Sequence, residues 1–222
     1  MPRGFTEAEQ DRIQERLYAE AERLAASRGI RRTTIAEIAE ASGIAKGSFY
    51  RFARSKEEFF FDLLERAEED IRAEIDEGLK QAGPEPEARI RVVIERATSV
   101  LSGRPFLRVL TDPEELAYLA RALPPERLAQ HALGDVAYFE GIFGDLLEHA
   151  RSDAAGTAEA DAAGSNAAGA LSAEVATGVI KVLALLPTLE GIIGPAAFPA
   201  VRDRLSRYVA DGLARELTGE SR

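Results

Sequence analysis

Residues 33–60 read TTIAEIAEASGIAKGSFYRFARSKEEFF. Thr34 and Glu37 form a T-x-x-E capping box, which opens a short helix running to about Ala41. Gly43 breaks that helix at a turn where a positive φ is expected. Lys46 to Phe52 fits a second short helix. Ser55 and Glu58 form another box that opens a long helix. Ala39 is small where two helices would cross, and Ile38, Ile44, Phe49 and Phe52 are apolar at positions that close a three-helix core with the helix before them. The second short helix is then left to expose Lys46, Ser48, Tyr50 and Arg51, as a recognition helix in a major groove would.

The chemistry of this stretch suits DNA. Lys46 and Lys56 can neutralise phosphates. Thr33 and Thr34 lie at a helix N-terminus, where free N–H groups can meet a phosphate. Tyr50 offers a rigid ring and a hydroxyl, and Ser48 and Arg51 can reach base edges, Arg with a preference for guanine. The candidate DNA-contacting set is Thr33, Thr34, Lys46, Gly47, Ser48, Phe49, Tyr50, Arg51 and Lys56.

Working outward, the charge distribution agrees. The chain of 222 residues has a formal net charge of −10, which argues against bulk attraction to nucleic acid or anionic membrane. Residues 23–56 nevertheless hold eight Lys/Arg and only two acids, Glu37 and Glu40. A small basic module is thus attached to an acidic body. A resemblance to a phosphate loop at 43–48 is superficial, because the order is Lys-Gly and no strand precedes it.

The ordered set Thr33-Thr34, Ile38-Ala39, Gly43-Ile44, Lys46-Gly47-Ser48, Tyr50 and Ser55-Lys56-Glu57-Glu58 resembles the DNA-binding domain of the tetracycline-repressor-like (TetR) family of bacterial transcription regulators. The resemblance covers about residues 8–65. Ala45 stands where that family usually has Ser or a similar donor, and Ala53 where it usually has Phe. The resemblance implies an all-α chain: a three-helix helix-turn-helix DNA-binding domain, residues 1–54, followed by a larger helical ligand-binding and dimerisation domain, residues 55–222. It also implies a homodimer on a palindromic double-stranded operator, a small hydrophobic effector, and a ligand-responsive repressor as the function. The alternative within the same fold is a regulator gated by a protein partner or by no ligand.

The rest of the sequence reads as helices. Thr6 and Glu9 cap a first helix with Ile13, Leu17, Ala21 and Leu24 on one face, stopped at Gly29. The long helix from Ser55 carries Phe60, Leu64, Ile71, Ile75 and Leu79 and ends at Gly83-Pro84. Helices follow at Glu87–Leu101, after Asp112-Pro113, and after Pro124-Pro125. Residues 151–170 hold nine Ala and three Gly and no large apolar side chain, and read as a linker. Two apolar helices, about Ser172–Ile193 and Phe198–Leu217, close the chain and suit a four-helix dimer interface. No strand alternation and no internal repeat is found.

Several function classes are disfavoured. Cysteine is absent and only His131 and His149 exist, so thiolate chemistry and multi-histidine metal cages are excluded. The two histidines stand about five helical turns apart. No catalytic triad or carboxylate pair can be argued, so neither an enzyme nor a cofactor or metal is expected. Met1 to Gln10 lacks an apolar region, and Lys181, Pro187 and Glu190 interrupt the apolar stretch Val175–Gly194, so a cytoplasmic protein with no membrane span is expected. Phe106, Tyr118, Phe139 and Phe143 are the candidate lining of an effector pocket.

Overall fold

The computed structural model of the chain describes residues 6–155 and 173–218. Thr6 caps α1 (Glu7–Arg28): its side chain accepts from the Glu9 N–H, and the Glu9 carboxylate returns to the Thr6 N–H at 2.8 Å. Gly29, at φ 86°, ends the helix. Thr34 and Glu37 cap α2 (Ile35–Ala41) in the same reciprocal way. The turn after α2 is a Schellman motif: the Ile44 N–H reaches the Ala39 carbonyl at 2.9 Å and the Gly43 N–H reaches that of Glu40 at 3.0 Å. It requires the positive φ found at Gly43, 72°.

The next helix, α3, covers only Lys46–Phe49; residues 50–52 form a turn, so the expected extension to Phe52 does not occur. Its cap residue is Ala45, which offers no side-chain acceptor. Helix α4 (Lys56–Gln81) opens with the Glu58 N–H donating to the Ser55 hydroxyl at 3.0 Å.

Helix α5 spans Pro86–Gly103. A short helix missing from the sequence reading, α6 (Pro105–Val109), starts on Pro105, whose fixed φ suits a first helical position. Asp112 caps α7 (Pro113–Ala122), accepting from the Glu114 N–H at 2.9 Å. Helix α8 runs Pro125–Ala155. Residues 151–155 of the expected linker are therefore helical, and the rest of it lies outside the described residues.

The expected single helix Ser172–Ile193 is three pieces: α9 (Ala173–Ala184), a 3-10 turn (Leu186–Leu189) and α10 (Glu190–Ile193). Pro187 cannot donate to the ladder and breaks it. Helix α11 (Phe198–Thr218) ends the described chain. No strand occurs among the described residues.

Packing groups the helices into two compact units. The first comprises residues 1–69 and 104–128, the second 70–103 and 129–222. In the first, α1 packs on α2 and α6, and α2 on α3, around buried Leu17, Ala21, Ile30, Ile38, Phe49, Phe59 and Phe60. In the second, α5 packs on α9 and α11 around Ile90, Val93, Ile94, Phe143, Leu146, Ile180 and Leu213. Among the described residues no single helix is long and apolar enough to cross a membrane.

Candidate nucleic-acid interface

The aromatic residues of the first unit set the pose of α3. Phe49 is completely buried and its ring lies 5.0 Å from that of Phe59, which in turn stacks on Tyr18 at 5.0 Å. Phe49 is therefore an anchor of α3 and not one of the DNA-contacting side chains expected from the sequence. Tyr50 meets the Phe49 ring edge-on at 5.9 Å and remains 53% exposed. Lys46, Gly47 and Arg51 are exposed beside it, and Ser48 is half-buried.

Gly47 has an informative environment. A Cβ built there meets nothing within 4 Å, and its φ does not lie in the left-handed range. Glycine inside a helix costs about 0.5–1 kcal/mol relative to alanine. Among the described residues nothing approaches the space that a side chain would fill at Gly47.

Two expected contacts are corrected by the geometry. Thr33 is fully buried, and its hydroxyl donates to the Gly29 carbonyl at 2.8 Å. It closes the loop between α1 and α2 and offers no surface to a phosphate. Lys56 directs its ammonium inward: Nζ donates to the carbonyls of Ile30, Arg31 and Thr33 at 3.0, 3.2 and 3.1 Å. An ammonium has three donors, and these three carbonyls use them all. Its charge also sits 4.8 Å from the centre of the Tyr118 ring. Burial lowers the Lys56 pKa, against the raising influence of Glu57 and Glu115. Lys56 is a staple between α4 and the α1–α2 loop rather than a phosphate contact.

Other cations of the basic window are also engaged internally. Arg28 pairs with Glu37 at 2.8 Å, Arg23 with Glu20 at 2.7 Å, and Arg31 with Glu114. The Arg32 Nε donates to the Arg28 carbonyl at 2.6 Å. Thr34 is exposed, but its hydroxyl serves the α2 cap, donating to Glu37 at 2.7 Å. The Glu37 pKa is lowered by the hydrogen bonds from the Thr34 side chain and backbone, with Arg28 assisting. On and just after α3, Lys46, Arg51 and Arg54 are exposed. Arg54 lay outside the candidate set, although the basic window contained it.

The four aromatic residues proposed to line an effector pocket fall into different units. In the first, Phe106 is buried and stacks on Phe60 at 6.0 Å. Tyr118, also in the first, donates its hydroxyl to Glu57, and burial followed by that carboxylate raises its pKa. Phe143 is buried in the core of the second unit, with Phe139 packed half-buried against it.

The α7 residues beside Tyr118 complete the first unit. Glu115 is buried and accepts the Arg31 backbone N–H at 3.0 Å. No sequence signal joins these positions, which are 84 residues apart.

Comparison with known proteins bears on these elements. Residues 17–63 match the model of the bacterial regulatory proteins of the tetR family. The fatty acid degradation regulator FadR from Bacillus halodurans has a similar structure, with TM-score 0.64 and 15% identity over 89% of this chain and 94% of that one. The transcriptional regulator FadR from Bacillus subtilis, solved in complex with stearoyl-CoA, matches with TM-score 0.61 and 18% identity over 91% and 98%. The protein described as superantigen PfiT matches with TM-score 0.58 and 22% identity over 90% and 94%. At such identities these structures establish a shared helical fold. No curated protein matches the sequence.

Proposed function

We propose, from the premise that residues 17–63 form a tetR-family helix-turn-helix domain, that this protein is a ligand-responsive transcriptional repressor. It binds a palindromic operator as a homodimer in the cytoplasm and has no catalytic role. Residues 1–54 read the DNA, and residues 55–222 bind the effector and dimerise. The observation that carries the reading is the surface formed by α3 and the turn after it: Lys46 and Gly47 on the helix and Tyr50 and Arg51 in the turn are exposed together, beside the buried Phe49 that pins the helix.

Self-association is supported by the second unit. Val182 is 66% exposed and Ile192 83% exposed, with Val175, Leu185, Leu189, Leu205 and Tyr208 also exposed on α9 to α11 and the 3-10 turn between them. Apolar exposure of this kind on consecutive elements marks a protein interface. An isologous dimer would place two recognition helices on successive turns of one DNA face.

The effector is proposed to be small and hydrophobic. A relative of the same fold was solved with stearoyl-CoA, which makes that compound a suitable first probe. Sedimentation of the protein with a bound duplex tests the assembly, and two chains per duplex is the expected result. Adding stearoyl-CoA and then other hydrophobic compounds to that complex tests the gating. Release by one of them supports an effector. Release by none favours gating by a partner protein or by no ligand.

A further inference from the structure

Two neighbouring acids of α7 hold the loop between α1 and α2, and they do different work. Glu115 is buried, and its carboxylate accepts the Arg31 backbone N–H at 3.0 Å. That bond fixes the loop. Glu114 takes the Arg31 side chain instead: the guanidinium Nη1 donates to its carboxylate. The two side chains are 46% and 76% exposed, so water reaches both. An exposed pair of this kind adds little to stability, and the loop backbone is already fixed by Glu115.

The pair nevertheless dominates the surroundings of Arg31. Glu114 raises the Arg31 pKa, and Glu115 and Asp112 add to it from the same end of α7. The neighbouring cations are tied within the helix-turn-helix itself: Arg28 to Glu37 at 2.8 Å, and the Arg32 Nε to the Arg28 carbonyl at 2.6 Å. Arg31 is paired across 83 residues. It stands three residues before Thr34, the cap of α2. In helix-turn-helix docking the helix before the recognition helix crosses the DNA backbone. A half-exposed guanidinium at the start of α2 is therefore at the end that meets phosphates, and its fork suits one.

We propose that Glu114 is an internal rival of DNA for Arg31: the guanidinium exchanges the Glu114 carboxylate for a backbone phosphate when the protein binds its operator. The inference rests on the DNA-reading assignment above and adds Arg31 to the surface that assignment uses. Binding has to break the pair, and the released carboxylate is left beside a polyanion. Glu114 thus lowers the affinity for DNA of any sequence, because a phosphate contact carries no sequence information.

The test is fluorescence anisotropy with two labelled duplexes, one selected from a random pool by the wild-type chain and one of mixed sequence. The full-length wild type, Glu114→Gln, Arg31→Gln and the double variant are titrated over a range of salt. Glu114→Gln should tighten binding to both duplexes about two- to fivefold, the worth of an exposed ion pair, at an unchanged melting temperature. Arg31→Gln should weaken binding to both and lower the salt slope by about one. In the double variant the gain from Glu114→Gln should vanish, which separates a specific pair from the general effect of removing a negative charge. Affinity that Glu114→Gln leaves unchanged or weakens would overturn the proposal while the wild type still binds DNA. So would a gain that persists in the Arg31→Gln background. Failure of the wild type to bind either duplex would overturn the DNA-reading assignment itself, and this proposal with it.

Discussion

Gly29 and Glu115 fit each other so closely that a Cβ on Gly29 would lie 2.5 Å from a Glu115 carboxylate oxygen. Glu115 is fixed there because its other oxygen accepts the Arg31 N–H. Gly29 also has a φ of 86°, which side chains resist. Gly29→Ala should therefore destabilise the protein by about 1–3 kcal/mol, the usual range for such backbone strain. In a double-mutant cycle with Glu115→Ala the two changes should not add, because the second removes the clash. Chemical denaturation measures both, and additivity would count against a direct contact.

The inward-turned Lys56 gives a second test. Lys56→Met keeps the stem but strips three carbonyls of their donor. A loss of about 1–3 kcal/mol of stability is expected. The salt dependence of DNA binding should keep its slope, since no phosphate contact is lost. A slope reduced by about one would restore Lys56 to the interface.

Gly47→Ala should separate stability from function. The free protein should gain up to about 1 kcal/mol, because a Cβ there meets open space and the helix gains a better former. Affinity for DNA should fall. A variant that is more stable and binds equally well would remove Gly47 from the DNA-contacting surface.

Acid should loosen the cap of α2. The Glu37 pKa is lowered in the folded state, mainly by its hydrogen bonds with Thr34. Its contribution to stability is therefore present above the unfolded carboxylate pKa and is lost as pH falls through the lower folded value. The protection of the first-turn amides of α2, measured against their intrinsic exchange rates, should fall in that acidic window, and Glu37→Gln should remove this pH dependence.

Local rules explain what was legible in the sequence. The Thr6–Glu9 and Thr34–Glu37 boxes, the Asp112 cap and the turn at Gly43 each involve residues within a few positions, and the structure has all of them. Pro187 signalled a break that the apolar run around it concealed. The roles of Thr33 and Lys56 were misread because both depend on where a loop carbonyl lies in space. The same holds for α7, whose Glu115 and Tyr118 pack on Arg31, Glu57 and Lys56 across long sequence separations.

The most direct test of the central claim is selection of bound duplexes from a random pool at about 0.15 M salt, where nonspecific phosphate binding is weak. The wild-type chain should be compared with Lys46→Ala and Tyr50→Ala. The wild type should enrich an inverted repeat with half-sites about one helical turn apart. Each substitution should weaken binding to that repeat by about 1–3 kcal/mol at an unchanged melting temperature. Absence of an enriched repeat, or equal affinity in both variants, would contradict the assignment of the α3 face as the DNA-reading surface.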